Sequence, residues 1–149
     1  MTMDAPTAEQ SLRSMIPMVE TLDLRVTEMD TGKCVMLLPE QPAYFNHIGK
    51  PHAGAMFTLG ESASGGVVVS ELTPLLDRGT PLVVEITIRY LKIARGDITA
   101  VATMSKSAEE IEQILDDGGR PEWVVDIDLI DGTGTKTGSM TALWTIKPH

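Results

Sequence analysis

The densest run of chemistry-bearing side chains lies between Tyr44 and Glu61. Asn46, His47 and His52 stand in a stretch punctuated by Gly49 and Pro51, which reads as an irregular loop. His52-Ala53-Gly54 then opens a long run of small and aliphatic residues that reads as a buried helix. The first N–H groups of a helix lack an internal partner and sit at the positive end of its dipole. Ala53 and Gly54 therefore offer backbone donors suited to an oxyanion or a polarised carbonyl. Glu61 lies two turns deeper, the only charge between Ala53 and Ser70. A lone carboxylate there must meet a cavity, a partner or a ligand, because burying an isolated charge is costly. The pattern is a carbonyl-polarising helix end with a carboxylate beyond it.

Each of these residues also has a plainer reading. Glu61 could be a structural carboxylate satisfied by Asn46 or by backbone donors. His52 could order the helix entry through its imidazole, alone or together with a chemical role. Asn46 has the form of an Asx turn. His47 reads as a loop residue and His149 as a chain end. No metal is expected, since His47, His52 and Glu61 fit no standard ligand spacing. Cys34 alternates with Met36 and Leu38 and reads as core. Gly132-Thr133-Gly134-Thr135-Lys136-Thr137 lacks the spacing and following helix of a phosphate loop, so it reads as a hairpin turn. Arg89, Lys92 and Arg95 form the densest basic cluster. Singly each reads as a solvated strand end, and together they supply donors for phosphates.

Composition sets the bounds on these readings. The chain has 149 residues, 42% apolar and 22% charged, with only 2 Trp, 2 Tyr and 2 Phe. That length suits one domain with a core of aliphatic side chains and methionine. A formal charge of −9 argues against a general nucleic-acid or anionic-membrane binder. One cysteine excludes an internal disulfide framework. No apolar run reaches the ~18 residues of a membrane span, and the opening Met1-Thr2-Met3-Asp4-Ala5-Pro6 has no signal-peptide pattern. A reduced, cytoplasmic setting is the expectation.

The elements that must position these side chains follow from periodicity and punctuation. Thr7-x-x-Gln10 has the form of a capping box for a helix over about 7–16, stopped by Pro17. Leu22, Leu24 and Val26 alternate as a strand, and Asp30-Thr31-Gly32 turns into a second strand, Lys33 to Leu38. The run over 53–72 predicts a central helix, with a strand from Gly66 to Ser70 as the weaker alternative. Its glycines cost ~1 kcal/mol each relative to alanine, so it must pack closely. Leu82 to Ala94 predicts a long strand, Arg95-Gly96-Asp97 a turn, and Ile98 to Met104 a further strand. Ser107-x-x-Glu110 caps a helical insert over about 107–116. Trp123 to Ile130 and Lys136 to Ile146 form a closing hairpin. One six-stranded sheet wrapped around one helix would satisfy every apolar face, an α+β arrangement.

Asn46, His52 and Glu61 together resemble the active-site signature of hotdog-fold acyl-CoA thioesterases, in particular the phenylacetate-pathway type. That family carries an Asn, a His-Gly-Gly six residues on, and an Asp or Glu nine residues after the His. The element order resembles that family along nearly the whole chain, as does the strand-turn-strand from Tyr90 to Thr99. Ala53 replaces the first glycine of the usual pair, and Glu61 stands where Asp is commoner. The family often adds a hydroxyl from the strand after the helix, for which Thr80 and Thr87 are the candidates here.

The resemblance implies a single six-stranded antiparallel hotdog domain around its central helix, and hydrolysis of acyl-coenzyme A. Ala53 and Gly54 N–H would polarise the thioester carbonyl. Glu61 would act as general base or nucleophile, with Asn46 and His52 orienting water and carbonyl. Arg89, Lys92 and Arg95 would meet the coenzyme A phosphates. No cofactor is implied beyond the coenzyme A of the substrate. Other activities of the same fold are acyl-CoA binding without turnover, and hydration or dehydration of acyl thioesters. The strand Leu82 to Ala94 would lie at an open edge, and unpaired edges favour self-association as a dimer or tetramer.

Overall fold

The computed structural model describes residues 3–149, so Met1 and Thr2 of the opening segment lie outside the described residues. Helix α1 (Ala5–Met15) and a short α2 (Pro17–Thr21) precede strands β1 (Arg25–Asp30) and β2 (Lys33–Leu38). A loop with one 3₁₀ turn, Pro42–Tyr44, leads into α3 (Ala53–Leu72). Then come β3 (Gly79–Tyr90), β4 (Ile98–Met104), α4 (Ala108–Asp116), β5 (Glu122–Ile130) and β6 (Lys136–Pro148). The six strands form one sheet in the order β1-β2-β4-β5-β6-β3, antiparallel throughout. Helix α3 lies chiefly against β4, β2 and β5. The core is aliphatic, with Met36, Leu59, Val67, Leu72, Ile98, Ile127 and Leu129 buried around α3.

The glycine cost in α3 is explained by close approach at two positions. A Cβ on Gly60 would run into the Met140 sulfur, and one on Gly66 would come within 2.9 Å of Cys34 Sγ. Gly65 differs: a Cβ there would meet Trp144 at an ordinary 3.7 Å. Cys34 is buried, and desolvation pushes its thiol up to about 12, so it is core rather than a reactive thiolate.

The structure corrects four local expectations. Asp4, not Thr7, caps α1, its carboxylate accepting the Thr7 N–H at 2.8 Å, so the helix starts at Ala5. Pro17 ends α1 but opens α2, because proline is well suited to a first helical position. Regular strand pairing therefore begins at Arg25 rather than Leu22, although Leu22 and Leu24 are still buried. Strand β3 stops at Tyr90 rather than Ala94, where Leu91 and Lys92 N–H both turn onto Thr137 O at 2.8 and 3.3 Å.

A fifth correction bears on function. One chain does not satisfy every apolar face. β3 is an edge strand and leaves Leu82, Val83 and Val84 43%, 39% and 54% exposed. Beside it, Ala53, Gly54, Phe57, Thr58, Glu61, Gly65 and Val69 form an incompletely buried stripe along α3, at helical spacing.

Candidate active site

The loop before α3 is built by its own side chains and backbone. Asn46 Oδ1 accepts the N–H groups of Ile48 and Lys50 at 3.0 and 3.1 Å, and Asn46 N–H donates to Lys50 O at 2.7 Å. This is the Asx turn, closed by Gly49 at a φ of 69°. His52 N–H then donates to Tyr44 O at 2.8 Å, returning the chain to the start of the loop. Tyr44 is itself tied to α2, its hydroxyl donating to Thr21 O.

His52 is the N-cap of α3. Its Nδ1 accepts the Gly54 N–H at 2.8 Å, and its carbonyl accepts the Met56 N–H at 3.1 Å. A ring accepting through Nδ1 carries its neutral-form proton on Nε2. The cap takes one of the two donors expected to meet a carbonyl. Ala53 and Ala55 N–H are the first-turn donors that His52 leaves alone. On the other side of the same turn, the Tyr90 hydroxyl donates to Ala53 O at 2.8 Å.

A cleft of about 380 Å³ opens against this helix start, lined by Asn46, Lys50, Ala53, Met56, Tyr90 and Lys92 among others. Its apolar wall includes Ile48, Leu91 and Ile93. Lys92 lines this cleft beside the helix start. Arg89 does not, since it alternates with Ile88 and Tyr90 and leaves the sheet from the opposite face. Arg95 is exposed in the following turn, where Asp131 Oδ2 accepts its backbone N–H at 3.0 Å. Burial pushes the Asp131 carboxyl up, but hydrogen bonds from Thr133, Arg95 and Thr135 together hold it below the usual range. Lys50 and Tyr90 were not singled out by spacing, because the loop and β3 meet only in three dimensions.

Glu61 sits half-buried on the open stripe of α3, and burial raises its carboxyl above the usual range. Asn46 does not satisfy it: its side-chain oxygen accepts the Ile48 and Lys50 N–H groups, and its side-chain NH2 makes no hydrogen bond to Glu61. Among the described residues, no hydrogen bond or ion pair reaches the Glu61 carboxylate. Of the two candidate hydroxyls, Thr80 pairs with His149 at 3.1 Å and Thr87 is exposed. The hydroxyl that β3 brings to the helix start is that of Tyr90. No group of three or more His, Cys, Asp or Glu suited to a metal occurs among the described residues. No helix among them is long and apolar enough to cross a membrane.

The profile of the domain of unknown function DUF4442 matches residues 7–146. The chain belongs to the DUF4442 family. No curated protein matches it in sequence. In structure, this DUF4442 chain is similar to a Pseudomonas aeruginosa protein of unknown function, PA5026, described as a probable thioesterase. The two share 28% identity at a TM-score of 0.86, over 100% of this chain and 99% of that one. A thioesterase family protein from Silicibacter pomeroyi superposes at a TM-score of 0.77 with 20% identity, over 97% of this chain and 99% of the other. The PaaI protein of the Escherichia coli phenylacetic acid degradation operon does so at 0.73 with 17% identity, over 97% and 96%. The DUF4442 chain thus has the hotdog fold of PaaI-like thioesterases.

Proposed function

We propose that the chain is an acyl-CoA thioesterase that works as a homodimer. The observation that carries this reading is Glu61: a half-buried carboxylate with a raised pKa and no partner among the described residues of its own chain. It lies on the helix whose capped N-terminus opens into a cleft. The likeness to structures described as thioesterases supports the same chemistry.

In this reading the thioester carbonyl lies at the first-turn N–H groups of α3, and Glu61 removes a proton from the attacking water. The tetrahedral oxyanion collapses, the C–S bond breaks, and the thiolate takes up the proton, leaving a carboxylic acid and coenzyme A. Direct attack by Glu61 to form an anhydride, opened later by water, uses the same atoms. Lys92 and Lys50, beside the cleft, are the cations for the coenzyme A phosphates.

Geometry makes the second copy part of the proposal. Eight residues of helix separate Ala53 from Glu61, about 12 Å at 1.5 Å per residue. One carbonyl cannot contact both within one chain. Pairing two copies about a two-fold axis, through the exposed edge β3 and the open stripe of α3, sets the two helices antiparallel. The helix start of one copy then approaches Glu61 of the other.

Thiol release measured over a panel of acyl-CoAs tests the activity. Saturable binding without thiol release would replace the reading with a binding module. Mixing subunits tests the shared site. Ala53→Pro removes one first-turn N–H at a position that tolerates proline. Mixed with Glu61→Gln it should restore about a quarter of wild-type turnover, since half the dimers would hold one intact site. No recovery, or a monomer by sedimentation, would sink the shared site.

A further inference from the structure

The peptide unit between Ala53 and Gly54 is gripped at both ends. Its carbonyl accepts the Tyr90 hydroxyl at 2.8 Å, and its N–H donates to His52 Nδ1 at 2.8 Å. A peptide group is planar, so these two bonds fix the direction of one rigid donor. Thr58 Oγ1 holds the next carbonyl, Gly54 O, at 2.9 Å. Tyr90 is itself anchored, since it pairs with Gly138 at the end of the β3–β6 ladder. The first turn of a helix otherwise frays.

We propose that Tyr90 is a positioning residue for the thioesterase reaction: its hydroxyl orients and polarises the Ala53–Gly54 peptide, whose N–H receives the substrate carbonyl once that carbonyl displaces His52. The inference rests on the thioesterase reading above. A donor on the carbonyl draws electron density from the amide nitrogen and makes its N–H a stronger donor, and linked hydrogen bonds reinforce one another by roughly 10–30% per bond. That gain matters most when the substrate oxygen becomes an oxyanion, so it favours the transition state over the bound substrate. Displacing His52 is cheap, because the imidazole is exposed and water can take over its Nδ1. The resting cap thus keeps the donor aligned until the substrate carbonyl replaces it.

The test uses the full chain with Tyr90→Phe and with fluorotyrosines of graded acidity at position 90, assayed where the phenol stays protonated. Losing one neutral hydrogen bond should lower kcat about 5–10-fold, with KM changed little. Across the fluorotyrosines, kcat should rise with phenol acidity, and the Gly54 amide proton shift should move in the same order. A lower Tm with unchanged kcat in Tyr90→Phe would show that the hydroxyl only ties a strand end to the helix. Turnover that needs Glu61 yet ignores phenol acidity would overturn the role of Tyr90 and leave the thioesterase reading standing. A Gly54 shift that tracks phenol acidity in a chain releasing no thiol would do the reverse: the polarised peptide would stand and the thioesterase reading would fall.

Discussion

Two glutamates share helix α3. Glu71, near its C-terminal end, accepts the Gly32 N–H at 2.9 Å and ties the β1–β2 turn to the helix. Glu61, near the middle, has no such donor among the described residues and carries a carboxyl raised by burial. Glu71 shows what a structural carboxylate looks like in this fold: a backbone N–H returns what desolvation takes away. Glu61 keeps its desolvation without that return. A helix that provides for one carboxylate and not the other leaves the second for chemistry or for a partner.

The largest expected effect separates the two directly. Glu61→Gln should cut thioester hydrolysis by about 10²–10⁴-fold while Tm holds or rises. Glu71→Gln should lower stability by about 1–2 kcal/mol and leave turnover per folded molecule unchanged. Turnover and melting measured on the same preparations would break the comparison if the two variants behaved alike.

The pH dependence sharpens it. As a base Glu61 must be ionised, so kcat/KM should fall on the acid side through a pKa above the usual Glu range of about 4.3. Stability carries the opposite sign. The folded-state pKa of Glu61 lies above its unfolded value, so the folded state binds more protons between the two, and stability should fall as pH rises through that window. Asp131 runs the other way: its folded pKa is lowered, so its contribution is present above the unfolded value and lost as pH falls through the folded one. Denaturant melts of wild type and Glu61→Gln across pH 3–7 should differ by the Glu61 slope alone.

Packing extends the contrast along the helix. Gly60→Ala should cost about 1–3 kcal/mol, since its methyl meets Met140, whereas Gly65→Ala should be neutral or gain about 0.4–1 kcal/mol in chain stability. Melts of the two variants decide it. The smallest effect concerns the cations. Lys92→Ala should raise KM for acyl-CoA several-fold in a salt-dependent way, and Arg89→Ala, on the opposite face, should leave it unchanged.

Much of this was legible in the sequence because it is local. The capping box at Ser107 and Glu110 forms as its spacing predicts, with both reciprocal hydrogen bonds. The charge-poor run becomes α3, and period-two alternation becomes strands. The errors came where two signals competed. Asp4 and Thr7 can each cap a helix, and Pro17 both ends one helix and begins another. In the site, the types and spacing of Asn46, His52 and Glu61 were legible, but their partners were not. Asn46 turns inward on its own loop and His52 occupies Gly54 N–H. Lys50 and Tyr90 entered only through the cleft.

The sequence by itself determined the helix, the strands, the isolation of Glu61 among small residues and the acidic, single-cysteine character of the chain. Each of these depends on neighbours within a few residues, where 3.6- and 2-residue periods decide which side chains share a face. Tertiary structure alone decided that Tyr90 meets Ala53, that Lys50 shares a cleft with Lys92, and that β3 ends the sheet with its apolar edge uncovered. Those contacts join segments dozens of residues apart. They are set by strand order and layer packing, which no local period encodes.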